Sequence, residues 1–316
     1  MTRYIVKRLV QMLPVLLGVT LTVFLILHLT PGDPAQVMLG PEATPESIAQ
    51  LREELGLNRP IYVQYFLWLA RVVQGDLGRS FAMKAPVGPL VWERFKATFI
   101  LTVSGLAFST VVGILAGLLA VMHLNSVFDR LVTALALFGV SMPVFWLGLM
   151  AILFFSLRLS WFPVSGMQDP SGGGAWDLLR HLVLPAVTMG TVSMGTVARF
   201  TRSSLLEVFG QDFIRTAKAK GVSPNAVLLR HTLRNAWIPV VTVVGLQLGY
   251  LLGGAVLTEK VFSWPGLGSL MLDAILQRDF PVIQGGVLLI AVVFVMVNLA
   301  VDVLYVYLDP RIQYED

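Results

Sequence analysis

Charge-free apolar stretches recur along this chain, separated by segments that hold nearly all of its ionisable side chains. Six stretches lack any Asp, Glu, Lys or Arg: Leu9–Gly32, Ala97–Phe128, Leu131–Leu157, His181–Ala198, Asn235–Thr258 and Phe280–Val301. A helix of about 20 residues crosses a ~30 Å hydrocarbon core, so each stretch is predicted to span a membrane. The fourth is rich in Thr, Ser and Gly and is expected to face other helices more than lipid. Leu9–Gly32 follows Arg3, Lys7 and Arg8, as the apolar part of a signal peptide would. It is too long for a cleaved region and no A-x-A site ends it, so it is read as a retained helix.

Between the first two stretches, Pro31–Lys96 carries helix signals of its own. Thr44 is a capping residue, Pro45 suits a first turn, and Gly56 follows SIAQLREEL as a stop. IYVQYFLWLARVVQ is apolar at nearly every position and holds four aromatics, which suits a helix lying at the membrane interface. An amphipathic helix packed on the outer ends of the bundle fits the same pattern. Within the fifth span, Gly245, Gly249 and Gly253 form a stripe of small residues where a neighbouring helix can approach closely; Gly113 and Gly117 do the same in the second. Pro14, Pro143, Pro185 and Pro239 each remove a backbone donor and are expected to bend or end helices. No repeated halves are visible, so an inverted-repeat transporter is not supported.

Composition agrees with the pattern. The chain has 316 residues, 56% hydrophobic and 13% charged, where a soluble domain is about 25% charged. The fold class is therefore all-α integral membrane. With no cysteine, disulfides and thiolate metal sites are excluded. The net charge of +4 matters less than its placement: Arg199–Arg234 holds seven basic residues against Glu207 and Asp212, and the N-terminus holds three with no acid. Positive charge near helix ends stays cytoplasmic, which puts this segment and both termini on the cytoplasmic side. The neutral connection at Asp129 and Arg130 falls there too. Pro31–Lys96, the connection near Trp161–Arg180 and Glu259–Asp279 fall outside. The expected organisation is a cytoplasmic N-terminus (1–8), a first membrane helix (9–32), an extracytoplasmic segment with amphipathic helices (33–96) and a core membrane domain (97–316).

Several chemistries are absent. No Gly-Lys pair occurs, so no P-loop can form, and neither G-x-S-x-G nor H-E-x-x-H is present. His28, His123, His181 and His231 are scattered without ligand spacing, which points to structural or interfacial roles. No catalytic residue, metal or cofactor is expected, and no nucleic-acid partner. Charge is nearly nil within the spans, against a proton relay or voltage sensor. Asp302, near the end of the sixth span, is the exception, and a pairing role with a basic residue of 199–234 is expected. The picture is a bundle with a pathway and no engine, so driven transport would draw energy from a partner.

The densest basic segment, DFIRTAKAKGV at Asp212–Val222, lies mid-chain. Asp212 is read as an N-cap, Phe213–Lys220 as a short helix and Gly221 as its stop. Ser223 is read as capping a second helix that begins at Pro224. Ala217 and Gly221 fall on one side and permit close backbone approach, and Arg215 and Lys218 present charge beside them. A solvated loop obeying the charge rule would carry the same cations. The capping signals and the spaced small residues favour a rigid element that fits a partner's cleft.

At these residues the chain resembles the transmembrane permease subunits of bacterial ABC importers, in the peptide/nickel class that includes dipeptide, oligopeptide and glutathione permeases. Arg215-Thr216-Ala217, then Lys218-Ala219-Lys220, then Gly221 match the spacing of the family's EAA loop, with Arg215 replacing the general Glu. HTLRNAWIP at His231–Pro239 resembles the class pattern H-x-L-R-N-A-x-x-P. Further similarities are TPGDP (Thr30–Pro34), ELGL (Glu54–Leu57), GDLGRS (Gly75–Ser80), SMPVFW (Ser141–Trp146), FTRSSLLEV (Phe200–Val208), EKVFSWPGLG (Glu259–Gly268) and RDFPVIQG (Arg278–Gly285). The resemblance implies six transmembrane helices in the type I ABC importer permease fold, with a cytoplasmic coupling helix, in a bacterial inner membrane. It implies a second homologous permease, two cytoplasmic ATP-binding subunits that supply hydrolysis, an extracytoplasmic binding protein and surrounding membrane lipid. The ATPase-coupling residues it implies are Arg215, Thr216, Ala217, Lys218, Ala219, Lys220, Gly221, His231, Arg234 and Asn235, within a coupling segment 210–236. Dipeptides or short oligopeptides come first as substrates, then glutathione-like peptides, then chelated nickel. A secondary carrier or channel, in which the basic segment only sets topology, and an assembly scaffold are the remaining readings.

Overall fold

The computed structural model describes the backbone of all residues except 1, 30–32, 41–42, 171, 224–225 and 309–316, and the side chains of 2–7, 34, 37–38, 54–55, 229 and 304–308 are likewise not described. Among the described residues, apart from an isolated bridge between Arg79 and Pro86, the regular structure is helical. Within the described residues five helices are long and apolar enough to cross a membrane: Arg8–Leu29, Val87–Met122, Gly174–Phe209, Arg230–Val261 and Phe280–Val303. The third predicted span is broken at Pro143, one of the prolines expected to bend or end helices. It is two helices, α6 (Val127–Ser141) and α7 (Val144–Ala151, continued by a π turn to Arg158), bent by 105°. Pro143 has no N–H to give and drives the residue before it out of the helical region; Met142 is extended at φ −82°, ψ 136°. Pro14, Pro185 and Pro239 instead sit inside unbroken helices.

The chain divides into two compact units, residues 1–97 with 266–296 and residues 98–265 with 297–316. The first contains α1 (Thr2–Leu29), α2 (Pro34–Leu39), α3 (Pro45–Leu55) and α4 (Ile61–Val73). Thr44 caps α3 by accepting from the Ser47 N–H, and Gly56 ends it in the left-handed region, both as the sequence predicts. Helix α4 packs on α1: Phe24 meets Tyr65 and Trp68, the Thr20 and Tyr65 hydroxyls are 2.9 Å apart, and His28 Nε2 lies 2.9 Å from Gln64 Oε1. Its other face leaves Ile61, Tyr62, Phe66, Leu67 and Val73 exposed. The unit's core joins Leu27, Val87, Val91 and Phe95 to Leu267, Met271 and Ala274 of α11 (Leu267–Gln277) and to Phe280 and Val282. GDLGRS and RDFPVIQG meet here: Ser80 Oγ donates to Asp279 Oδ2 at 2.5 Å, and the Ala82 N–H donates to the same oxygen at 3.2 Å.

The second unit is built on α8 (Gly174–Phe209), where 67% of the most apolar window is buried, against 17–28% in the other four candidate spans. Its polarity is therefore interior, as expected. Helix α5 (Val87–Met122) lies against it so closely that a Cβ at Gly113 would come 2.9 Å from Met194 O, and one at Gly117 2.7 Å from Ala198 O. Helix α10 (Leu233–Val261) packs on α8 as well, and Ser193 Oγ donates to Gln247 Oε1 across them at 2.8 Å. Gly245 is in close contact with Val301 of α12 (Phe280–Leu308), whereas a Cβ at Gly253 would meet nothing within 4 Å. The expected stripe is thus used at Gly245 and open at Gly253. Thr98 Oγ1 donates to the fully buried Glu259 at 2.5 Å, and Trp264 N–H donates to the Glu259 carbonyl at 2.8 Å, which fixes the EKVFSWP corner.

Candidate functional site

The basic segment folds as α9 (Asp212–Ala219), two residues after α8 ends. Gln211 takes the N-cap position, extended and without a side-chain cap bond, and Asp212 opens the first turn, so the predicted cap shifts by one residue. Asp212 still places its charge at the positive end of the helix dipole. The helix ends as predicted: Gly221 is left-handed at φ +77°, its N–H donates to the Lys218 carbonyl at 3.0 Å, and the Val222 N–H donates to the Ala217 carbonyl at 3.3 Å. This paired closure is the Schellman arrangement, which satisfies carbonyls the helix would leave open.

One apolar edge holds α9 down. Ile214 is 0% exposed, in a cluster with Val121 of α5, Leu205 and Val208 of α8, Val227, and Ala236 of α10. Ala217 and Val222 pack against the same cluster. Of the two small residues expected on one side, Ala217 is half-buried against this cluster because it follows Ile214 by one helical turn, and Gly221 lies beyond the helix end. Among the described residues nothing lies within 4 Å of where a Cβ would sit at Gly221, and what they ask of it is the positive φ.

The outward surface is cationic. Arg215 has a 77% exposed side chain and reaches Asp212 only at 3.5 Å. Thr216, Lys218, Ala219 and Lys220 are exposed; Thr216 Oγ1 donates to the Asp212 carbonyl at 3.0 Å, and Lys218 Nζ sits 5.4 Å from the Phe209 ring centre. His231 lies in a π turn, Val227–Thr232, that runs directly into α10, so the second predicted helix is the beginning of a long one. Its proposed first residue, Pro224, lies outside the described residues; the Ser223 carbonyl accepts from the Val227 N–H at 2.9 Å. His231 is half-buried, Arg234 is exposed, and Asn235 Nδ2 donates to the His231 carbonyl at 2.7 Å. The two stretches that carry these residues meet at one apolar cluster, where Ala217 packs beside Ile214, and Val227, Leu233 and Ala236 join from the π turn and α10.

Two features of the site escaped the sequence reading. Ile214, its anchor, lies one helical turn before Ala217, a spacing that puts the two on one face of the helix, which the neighbouring Phe213 does not share. The second is a two-point ion pair: Arg202 Nε to Asp129 Oδ1 at 2.8 Å and Nη2 to Oδ2 at 3.0 Å, tying the start of α6 to the end of α8. Asp129 Oδ2 also accepts from the Asn125 N–H at 3.1 Å, and Ser126 caps α6 by accepting from the Asp129 N–H. Paired forks of this kind are strong and directional, so the α5–α6 turn and the end of α8 that carries α9 are held together.

Residues 109–314 match the family model of the binding-protein-dependent transport system inner membrane component, and residues 1–102 match the N-terminal model of such membrane components. The dipeptide transport system permease protein DppB of Alkalihalophilus pseudofirmus is 46% identical over 99% of this chain and 100% of its own length. The glutathione transport system permease protein GsiC and the dipeptide permease DppB of Escherichia coli are each 44% identical, with 100% of both chains covered. In fold, the chain is similar to an inward-facing MetNI methionine ABC transporter, with a TM-score of 0.58 at 20% identity over 70% of this chain and 96% of that one. A multi-pass bundle with a short basic helix seated at one end, and matches from end to end, place the chain in the family of inner membrane components of binding-protein-dependent transport systems, as a permease subunit with the type I ABC importer fold.

Proposed function

We propose that this permease, paired with a second homologous one, forms the pathway of an ATP-driven importer for dipeptides or short oligopeptides, and that α9 is where cytoplasmic ATP-binding subunits engage it. The observation that carries this is the division of labour in α9: Ile214 is locked into the bundle while Arg215, Lys218 and Lys220 point outward. A helix held this way transmits a push. ATP binding closes the two ATPases, α9 moves with them, and the cluster of Val121, Leu205, Val208, Val227 and Ala236 passes the displacement to α5, α8 and α10. Coupling requires the two bundle states to differ in their preference for the closed ATPases. Thr216, Ala219, Gly221, His231, Arg234 and Asn235 complete the contact surface. An extracytoplasmic binding protein delivers substrate at the opposite side, onto the 33–96 and 259–279 segments, with both termini cytoplasmic.

The peptide assignment rests on the dipeptide and glutathione permeases that the chain matches over its whole length. Purification in mild detergent with this chain as bait tests the reading. A second multi-span permease and one or two P-loop ATPases are expected to co-purify, with peptide-stimulated hydrolysis after a binding protein is added. A folded preparation that comes down alone overturns it. Because the chain has no cysteine, single cysteines placed at Lys220 and Met83 report orientation directly, and labelling from opposite sides of the membrane is expected.

A further inference from the structure

Along the chain the four histidines are scattered without ligand spacing. In the fold, His181 meets two acids, Asp177 one helical turn before it and Asp169 in the connection that leads into α8. His181 Nδ1 is 2.9 Å from the Asp177 carbonyl and 3.3 Å from Asp177 Oδ1. Both neighbours are acceptors, so Nδ1 carries the proton and donates, which leaves the lone pair on Nε2. The ring is 3% exposed, and Nε2 faces Asp169 Oδ1 at 3.8 Å. That gap is too long for a hydrogen bond. It does fit an ion bonded to both atoms at about 2.1 Å each, with an angle near 130°.

The surroundings hold the three groups in place. Asp177 Oδ2 accepts from the Asp169 N–H at 2.7 Å, which lays the connection over the first turns of α8. Upstream, Ser156 Oγ donates to the Pro163 carbonyl at 3.0 Å and Gly166 N–H to the Phe262 carbonyl at 2.8 Å. Asp169 is itself 61% exposed, which gives an ion a way in. Ligating histidines usually donate their second ring nitrogen to a carbonyl or carboxylate, and Nδ1 of His181 does so.

We infer that Asp169, Asp177 and His181 form a divalent transition-metal site. His181 Nε2 and Asp169 Oδ1 are the ligands, Asp177 orients the ring and adds its carboxylate charge, and water completes the coordination. One imidazole with carboxylates suits Zn²⁺, Ni²⁺ or Co²⁺ better than Mg²⁺ or Ca²⁺. Bound there, the ion pins the connection between α7 and α8 to the helix that organises the second unit.

The full chain, purified without a histidine tag, is titrated with Co²⁺ followed by visible absorption and with Zn²⁺ by calorimetry. One ion per chain is expected, with Mg²⁺ unable to compete, and a rise in melting temperature with Zn²⁺ that a chelator reverses. Asp169→Asn, a change at an exposed side chain, is expected to weaken binding about tenfold or more, and His181→Gln at least as much. Equal affinity in the wild type and Asp169→Asn overturns the site. So does a wild-type chain that takes up no ion and melts identically with Zn²⁺ and with chelator.

Discussion

Helices α8 and α9 are joined by Gly210 and Gln211 and are built on opposite plans. Helix α8 spans 36 residues and hides small and polar ones, among them Thr188, Gly190, Ser193, Gly195 and Thr201. Small residues let backbones approach where lipid supplies no hydrophobic drive between helices. Helix α9 spans eight residues, buries Ile214 alone and leaves charged residues, Thr216 and Phe213 exposed. A helix so short is unstable by itself, so its form is lent by the bundle through Ile214 and by the Gly221 closure. The contrast teaches where each helix has its constraint. That of α8 lies in its own chain, at Gly113 and Gly117. Among the described residues the outward cations of α9 meet an exposed Asp212 and the Phe209 ring, so under the proposed function their constraint would lie in a partner.

The sharpest way to break this comparison is to fill a glycine contact. Gly117→Leu places a side chain where a Cβ already comes 2.7 Å from Ala198 O and from Thr201 Cβ. Overpacking of this kind costs about 1–3 kcal/mol or more, and a loss of monodisperse protein with a clear fall in melting temperature is expected. Gly253→Leu, where nothing lies within 4 Å, is the control and should melt like the wild type. Equal loss in both would show that α8 packing does not set stability.

The next largest effect is at the anchor. Ile214→Ala removes a fully buried side chain from the α9 cluster, a change worth about 2–5 kcal/mol in a packed core. The cost falls locally: the bundle should survive while amides of 212–219 exchange faster. With partner subunits present, hydrolysis should persist and uptake fail. A third change, Arg215→Glu with Lys218→Glu, touches exposed groups only and should leave melting within about 0.5 kcal/mol of wild type. It should weaken ATPase association about tenfold or more, in a salt-dependent way. Uptake unaltered by the double reversal would remove the cations from the docking surface.

Much of this was legible in the chain. Apolar length marks five spans, because the bilayer demands it, although α5 starts at Val87, well before its charge-free stretch at Ala97, and α8 runs on to Phe209, well past Ala198. The limits of α3 and the stop of α9 follow from Thr44, Gly56 and Gly221, since capping is local chemistry. What escaped depends on distant partners. Pro143 looks no different from Pro185, which sits in an unbroken helix; at the 105° break both halves pack on α8, Gly139 by Thr191 and Gly148 by Thr188, and only the second half also meets Val261 and Phe262. Ser80 and Asp279 are 199 residues apart. Asp129 and Arg202 were each visible as charges, but no spacing rule pairs residues on different helices.

Gly221 carries the smallest expected effect and the finest discrimination. Its φ of +77° costs an L-residue about 1–2 kcal/mol, and Gly221→Ala and Gly221→Leu incur that cost alike, since no described residue lies within 4 Å of where a Cβ would sit. Any difference between the two variants must then come from outside. If an ATPase cleft closes over the end of α9, Gly221→Ala should lower coupled uptake modestly and Gly221→Leu should abolish it at equal expression and nearly equal melting temperature. If the two transport alike, Gly221 serves only to stop the helix, and the partner's contact is confined to the side that bears Arg215 and Lys218.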